Sequence, residues 1–456
     1  MKNITENKMG VLPVGRLLFT MSLPAMISML IYAMYNIVDS FFVARISENA
    51  LSAVTLVFPV QMLMVAVGTG TGVGLSSLIA RRLGEKRVEE ANVSAAHGFL
   101  ISLFNWVVFA ILGIFLTKPF ITLFSDDAEI VALAVRFCTI LTVCSLFIFI
   151  QVTVEKILQA TGNMLFPMIF NISGAIINII LNPVLIFGLF GAPALGIAGS
   201  ATATIIAQFA AMSIGLFLLF RFKHAVKVEF KRLRRPQQRI FADIYAVGFP
   251  AIIMQAVMSI TVSGMNAILI RFTSTAVAVF GVYYRIQSVV FMPVFGLNQG
   301  ALPIMGYNFG ARNKKRLMDG YKKATYVALV IMVVGMALFQ LYPIQILQLF
   351  NASPDMLHIG NRAIRIMSIC FIPAGFGIVT TTLFQALGHG FLSMIVSLTR
   401  QLFFVLPAAW LLGEALGVDY VWFAYPIAEV VAVLIFAFFL YGIYNKEIRN
   451  LGVHKE

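Results

Sequence analysis

Asp39 sits inside the first long apolar stretch of the chain, in Tyr35-Asn36-Ile37-Val38-Asp39. Helical spacing places Ser28, Tyr32, Tyr35, Asn36 and Asp39 on one stripe. A polar stripe that ends in a carboxylate must face protein or water rather than lipid. The bland alternative is an interfacial aspartate reaching outward to headgroups, but the largely apolar run past it to Ala44 favours burial. Farther along, Asn171, Asn178 and Asn182 are seven and four residues apart and share one helix face, just before Pro183. Asn178, Asn182, Thr202 and Thr204 all fall in the outer half of their apolar segments, at the depth of Asp39. One carboxylate among amide and hydroxyl oxygens suits a proton site or a weak sodium site. Interhelical hydrogen bonding that merely holds the helices together is the competing reading, and the agreement in depth favours the ion site.

The second half of the chain carries a different chemistry. Arg285, Arg400 and Glu429 lie well inside apolar segments, where ionised groups must be paired or hydrated. They form either a structural ion pair or the lining of a cavity. Gln255, Asn266, Tyr283, Tyr284 and Gln287 add polar and aromatic surface nearby, and walls rich in aromatics and methionine can hold varied hydrophobic cations. Glu155, beside Lys156, is expected at the inner interface. Five scattered histidines and three cysteines (Cys138, Cys144, Cys370) give no metal spacing and no disulfide framework. With no phosphate-cradling GxxxxGK loop and no nucleophile–base set, neither an ATP-driven pump nor an enzyme is expected, and no cofactor.

The elements that must position these residues are membrane helices. Of 456 residues 60% are hydrophobic and 11% charged, too few charges to clothe a water-soluble protein. Twelve spans of bilayer length are expected, at roughly 16–43, 50–80, 93–117, 129–158, 164–188 and 195–221, then 242–270, 276–307, 320–342, 356–386, 391–412 and 419–443. The first apolar segment is too long for a signal peptide and is expected to remain as span 1. The net charge of +14 comes mostly from Lys and Arg in loops on one side, so it reports topology and not a nucleic-acid partner. That side includes Arg81, Arg82, Lys86 and Arg87, then Lys231, Arg232, Arg234, Arg235 and Arg239, then Arg312, Lys314, Lys315 and Arg316. Both termini are therefore expected in the cytoplasm, with the chain in a cell (inner) membrane.

The halves repeat without a gap. The offset between Pro24 and Pro250 is 226, and it also pairs Arg45 with Arg271, Gly70 with Gly296, Gly74 with Gly300, Cys144 with Cys370 and Gln159 with Gln385. Duplicated apolar bundles are characteristic of transporters. Six spans per copy leave both copies in one orientation, related by a pseudo-two-fold along the membrane normal, with a cleft between them as the natural substrate site. The expected domains are an N-lobe at 1–222, a basic cytoplasmic linker at 223–240 and a C-lobe at 241–456. Pro24, Pro250, Gly296 and Gly300 mark either hinges or tight helix packing, roles that are compatible.

These motifs together resemble one known family. They are Leu23-Pro24-Ala25, Asn36-Ile37-Val38-Asp39, Gly84-Glu85, Leu158-Gln159-Ala160-Thr161-Gly162-Asn163, Asn178 to Pro183, Gln299-Gly300 and Gln385-Ala386-Leu387-Gly388. In this order, on twelve spans, they look like the multidrug and toxic compound extrusion (MATE) antiporters, in the bacterial branch with a span 1 carboxylate. The resemblance implies two six-helix lobes opening alternately, with proton or sodium entry driving export of small organic cations. It assigns ion coupling to Asp39 with Asn178 and the position of Asn182, where the family pattern has an acid and this chain has an amide. Tyr35, Asn36 and Thr202 complete the expected ion site. A monomer in the lipid bilayer, acting on amphipathic cations, is the expectation. A flippase for a lipid-linked anionic precursor is the alternative, motivated by Arg285 and Arg400.

Overall fold

The computed structural model describes residues 7–231, 237–350 and 352–452. Arg232, Arg234, Arg235 and Pro236 of the expected linker lie outside the described residues. Among those described, every regular element is helical. Ten helices are long and apolar enough to cross a bilayer. They are Val14–Ala44 (span 1), Glu48–Gly84 (span 2), Val88–Phe115 (span 3), Leu165–Phe187 (span 5), Ile197–Arg221 (span 6), Gln238–Leu269 (span 7), Ser274–Gly310 (span 8), Lys314–Leu341 (span 9), Gly390–Leu416 (span 11) and Val418–Ile448 (span 12). Spans 4 and 10 are each a broken pair: Ala128–Val143 with Leu146–Ala160, bent by 44°, and Pro354–Ser368 with Phe371–Leu387, bent by 45°. Counting each pair once gives the twelve expected spans of an all-α polytopic membrane protein.

The repeat survives in local structure. Ser47 and Thr273, at matched positions, accept hydrogen bonds from first-turn N–H groups and cap spans 2 and 8. Asp127 and Ser353, also matched, cap the first helices of spans 4 and 10. Both breaks fall at the paired cysteines, Cys144 and Cys370. The matched Gly162 and Gly388 both take positive φ, 86° and 96°, to end the second helices of those spans.

Packing divides the chain into two compact units, Ile27–Ile252 and Met1–Met26 with Ile253–Glu456. The divisions fall inside spans 1 and 7, two residues beyond Pro24 and Pro250, whereas the sequence repeat changes over in the linker. In the first unit the alternating glycines of span 2 serve two faces. A Cβ on Gly70 or Gly74 would strike span 7 backbone, at Ile252 N (2.8 Å) and Gly248 N (2.9 Å) respectively. A Cβ on Gly68 or Gly72 would meet span 4, at Phe149 and Lys156. In the second unit the matched Gly296 and Gly300 seat span 1 in the same way, a Cβ there meeting Met26 N (2.6 Å) and Ser22 N (2.8 Å). Ser22 Oγ also donates to Leu297 O at 3.2 Å. Pro24 and Pro250 lie inside these seated helices.

Candidate functional site

The polar cluster expected around Asn178 in the first unit is built by spans 5 and 6. Asn178 and Asn182, one turn apart on Leu165–Phe187, are both buried. Asn178 Nδ2 donates to Thr204 Oγ1 at 3.2 Å, and Asn182 Nδ2 approaches Asn178 Oδ1 at 3.5 Å. Thr202 lies on the same helix as Thr204 but turns its hydroxyl to its own backbone, donating to Ala198 O at 2.7 Å. The partner of Asn178 is therefore Thr204. The two residues are two apart, and a helix sends such positions to different faces. Tyr35, Asn36 and Asp39 belong to the span 1 helix, and their side chains lie outside the described residues.

In the second unit, Arg400 Nη1 reaches both carboxylate oxygens of Glu429, at 3.1 and 3.2 Å. Arg400 sits on a wide, π-helical stretch, Thr399–Val405, which interrupts span 11. Such bulges rotate side chains out of the regular helical register. The Glu429 side chain is 8% exposed and that of Arg400 26%, so the pair opens on the arginine side. Next to it Gln401, a residue that the apolar pattern around it did not single out, accepts from Thr261 Oγ1 at 3.3 Å and donates to Ser397 Oγ at 2.9 Å. It ties span 7 to span 11. Tyr283 is buried and stands edge-on to Phe339 at 6.0 Å, while Tyr284 is exposed. Gln255, Asn266 and Gln287 are half-buried. Arg285 is exposed and has no carboxylate partner among the described residues. The structure thus joins Arg400 with Glu429 and leaves Arg285 apart from them.

Glu155 and Lys156 depart from expectation. The Glu155 carboxylate does not extend to an interface. It is held by protein donors from spans 4 and 5, with its side chain 12% exposed. His97, in span 3, is structural: Nδ1 contacts Val93 O at 2.8 Å and Nε2 accepts from Gln237 N at 2.9 Å, pinning the end of the linker. No group of three or more metal-ligating side chains occurs among the described residues.

A profile of the family described as MatE matches the chain twice, over residues 24–184 and 250–411. The matches start at the paired prolines and together span well over half of the sequence. The chain belongs to the MatE family. It is similar to the multidrug export protein MepA of Staphylococcus haemolyticus, 26% identical over 428 residues and 93% of each chain. It is also similar to MepA of Staphylococcus aureus, 26% identical over 427 residues and 92% of each. Two solved structures superpose with a TM-score of 0.90. One is a MOP superfamily transporter from Pyrococcus furiosus, described as having a binding pocket of reverse polarity that suggests a different function, at 27% identity over 100% of each chain. The other is the outward-facing conformation of a multidrug resistance MATE family transporter, at 28% identity over 99% of each chain. This MatE chain is accordingly a membrane-embedded transporter and not an enzyme.

Proposed function

We propose that this protein exports small, amphipathic organic cations across the cell (inner) membrane, driven by entry of protons or sodium ions. Its termini lie in the cytoplasm and it acts as a monomer whose two lobes open alternately to either side. The observation that carries the reading is the buried Asn182–Asn178–Thr204 cluster on spans 5 and 6. Amide and hydroxyl oxygens packed in an apolar bundle are what a cation stripped of water requires once a carboxylate joins them, and Asp39 is that carboxylate. The names of the staphylococcal relatives support multidrug compounds as cargo. One charge crossing about 100 mV supplies about 2.3 kcal/mol, enough to bias two conformations strongly.

Everted vesicles given a pH gradient or a sodium gradient separately identify the ion. Asp39→Asn abolishes gradient-driven efflux of a fluorescent cation on this reading; efflux that continues undiminished removes Asp39 from the mechanism. A second reading, a flippase for a lipid-linked anionic precursor, is favoured by Arg285, a cation deep in span 8 without a carboxylate partner among the described residues. Co-purification of an anionic lipid, lost in Arg285→Gln, would support it.

A further inference from the structure

Five polar side chains meet where the second helix of span 4 packs on span 5. Gln151, Glu155 and Gln159 recur every four residues on Leu146–Ala160, and Asn171 stands opposite them on Leu165–Phe187. The Glu155 carboxylate accepts from Gln159 Nε2 at 2.8 Å, from Asn171 Nδ2 at 3.1 Å and from the Lys156 ammonium at 3.3 Å. Lys156 also donates to Gln159 Oε1 at 2.9 Å, and its stem runs against span 2 where Gly72 leaves it room. Gln151 Nε2 donates to Asn171 Oδ1 at 3.0 Å, while Gln151 Oε1 is buried without a hydrogen-bond partner among the described residues.

A bent span of this kind can form without such an ion pair. At the matched positions the second copy has Gly377, Thr381, Thr382, Gln385 and Ser397. It builds the same bent span with an uncharged set, only the glutamine being retained. Burying two charges is also unfavourable enough that a well-packed apolar pair serves stability as well or better. Gln151 and Asn171 are half-buried and the Glu155 side chain is 12% exposed, so the cluster reaches the surface of the unit through a narrow opening. A carboxylate with two amides is costly against hydrocarbon, so on the cation-export reading that opening faces a water-filled space. There the carboxylate is held in place by two neutral amide donors, and its third partner is the Lys156 ammonium, whose side chain is 7% exposed. Removing the ammonium would leave an oriented, desolvated carboxylate ready for another positive group.

We propose that Glu155 recognises the positive group of the organic cargo, and that the Lys156 ammonium is the resident cation which cargo displaces. The inference rests on the cation-export reading and adds a second acidic position to it, distinct from Asp39. The two members of the pair then have opposite effects on binding. Glu155→Gln removes the recognition charge, and Lys156→Met removes the competitor.

The test is equilibrium binding of ethidium, a permanent cation, to the purified full-length protein, alongside ethidium uptake into proteoliposomes. Glu155→Gln is expected to weaken binding by about tenfold or more, raising KM with kcat little changed. Lys156→Met is expected to tighten binding a few-fold, because a larger fraction of the protein is competent to bind. The double variant follows Glu155→Gln, and Glu155→Asp recovers part of the loss. Should Lys156→Met fail to fold, Lys156→Gln keeps a hydrogen bond to Gln159 and carries the same expectation. A purely structural pair gives the other pattern: both single variants weaken binding together with thermal stability, or neither moves it beyond about twofold. Either result overturns the inference while leaving cation export intact. A wild-type protein that neither binds nor transports ethidium overturns both.

Discussion

The two copies share their backbone devices and differ in where they hold charge. Gly70 and Gly74 in span 2, and Gly296 and Gly300 in span 8, each let a helix backbone approach closely. The matched helix caps and the matched bends of spans 4 and 10 are likewise common to both. Charge inside the spans is not. The first copy has Glu155 and Lys156 on span 4, where the second has Thr381 and Thr382. The second has Arg400 and Glu429 on spans 11 and 12, where the first has Gly174 and Ala203. The C-terminal ends of spans 2 and 8 differ in the same manner. Arg82 is paired with Asp243 at 3.1 Å. Its counterpart Asn308 donates to Met9 O at 3.2 Å, beside Arg316, which holds Leu12 O at 2.6 Å. The copies share the scaffold and some cations, such as Arg45 and Arg271, but not these charges inside the spans. The charged positions are therefore the place to look for what each copy does.

The largest effect tests the shared scaffold. Gly74→Leu and Gly300→Leu should each cost more than about 4 kcal/mol or prevent folding, because a side chain there meets backbone that cannot give way. Gly281→Ala, with open space around it, should change stability by less than about 1 kcal/mol. Thermal unfolding in detergent measures all three, and a mild Gly300→Leu beside a severe Gly74→Leu would break the equivalence of the copies. Next is the second copy's ion pair. Arg400→Ala leaves Glu429 buried and uncompensated and should cost about 3–5 kcal/mol, most of it regained in Arg400→Met/Glu429→Leu. Failure of the double variant to regain stability would mean that the pair does more than satisfy itself.

A smaller effect sharpens the Asn178–Thr204 cluster. Thr204→Val strands the Asn178 amide and should cost about 1–3 kcal/mol. Thr202→Val, which removes only a bond to its own helix, should stay within about 0.5 kcal/mol. Equal costs would put Thr202 back beside Asn178. The smallest expected change is at the C-terminal ends of spans 2 and 8. Arg82→Gln should cost less than about 1 kcal/mol, and less still in high salt. Asn308→Ala removes no charge, only a donor to Met9 O and the amide oxygen that accepts from Arg316 Nε at 3.2 Å. It should respond to salt less than Arg82→Gln, and an equal salt response would contradict the contrast drawn between the two ends.

Much of this architecture could be read from the chain before any coordinates. The 226-residue offset located the seating glycines, and the run lengths located all twelve spans. The bend in span 4 left no such mark, since Cys144-Ser145 contains neither proline nor glycine. Span 10 does carry one, Pro373 in the first turn of Phe371–Leu387, which the apolar run length alone passed over. The polar stripe of span 5 was legible from its spacing. The choice of Thr204 over Thr202 was not, because it depends on how span 6 is rotated against span 5. Glu155 beside Lys156 resembled a solvated helix end until Asn171 and Gln159 were found closing on it.

The sequence by itself determined the class, the duplication and the polar residues that hydrocarbon would not tolerate. Each of these follows from composition and period along a single helix. Tertiary structure alone decided which polar groups meet. Partnership depends on the rotation, bending and close approach of neighbouring helices, and these are set by packing between segments far apart in the chain.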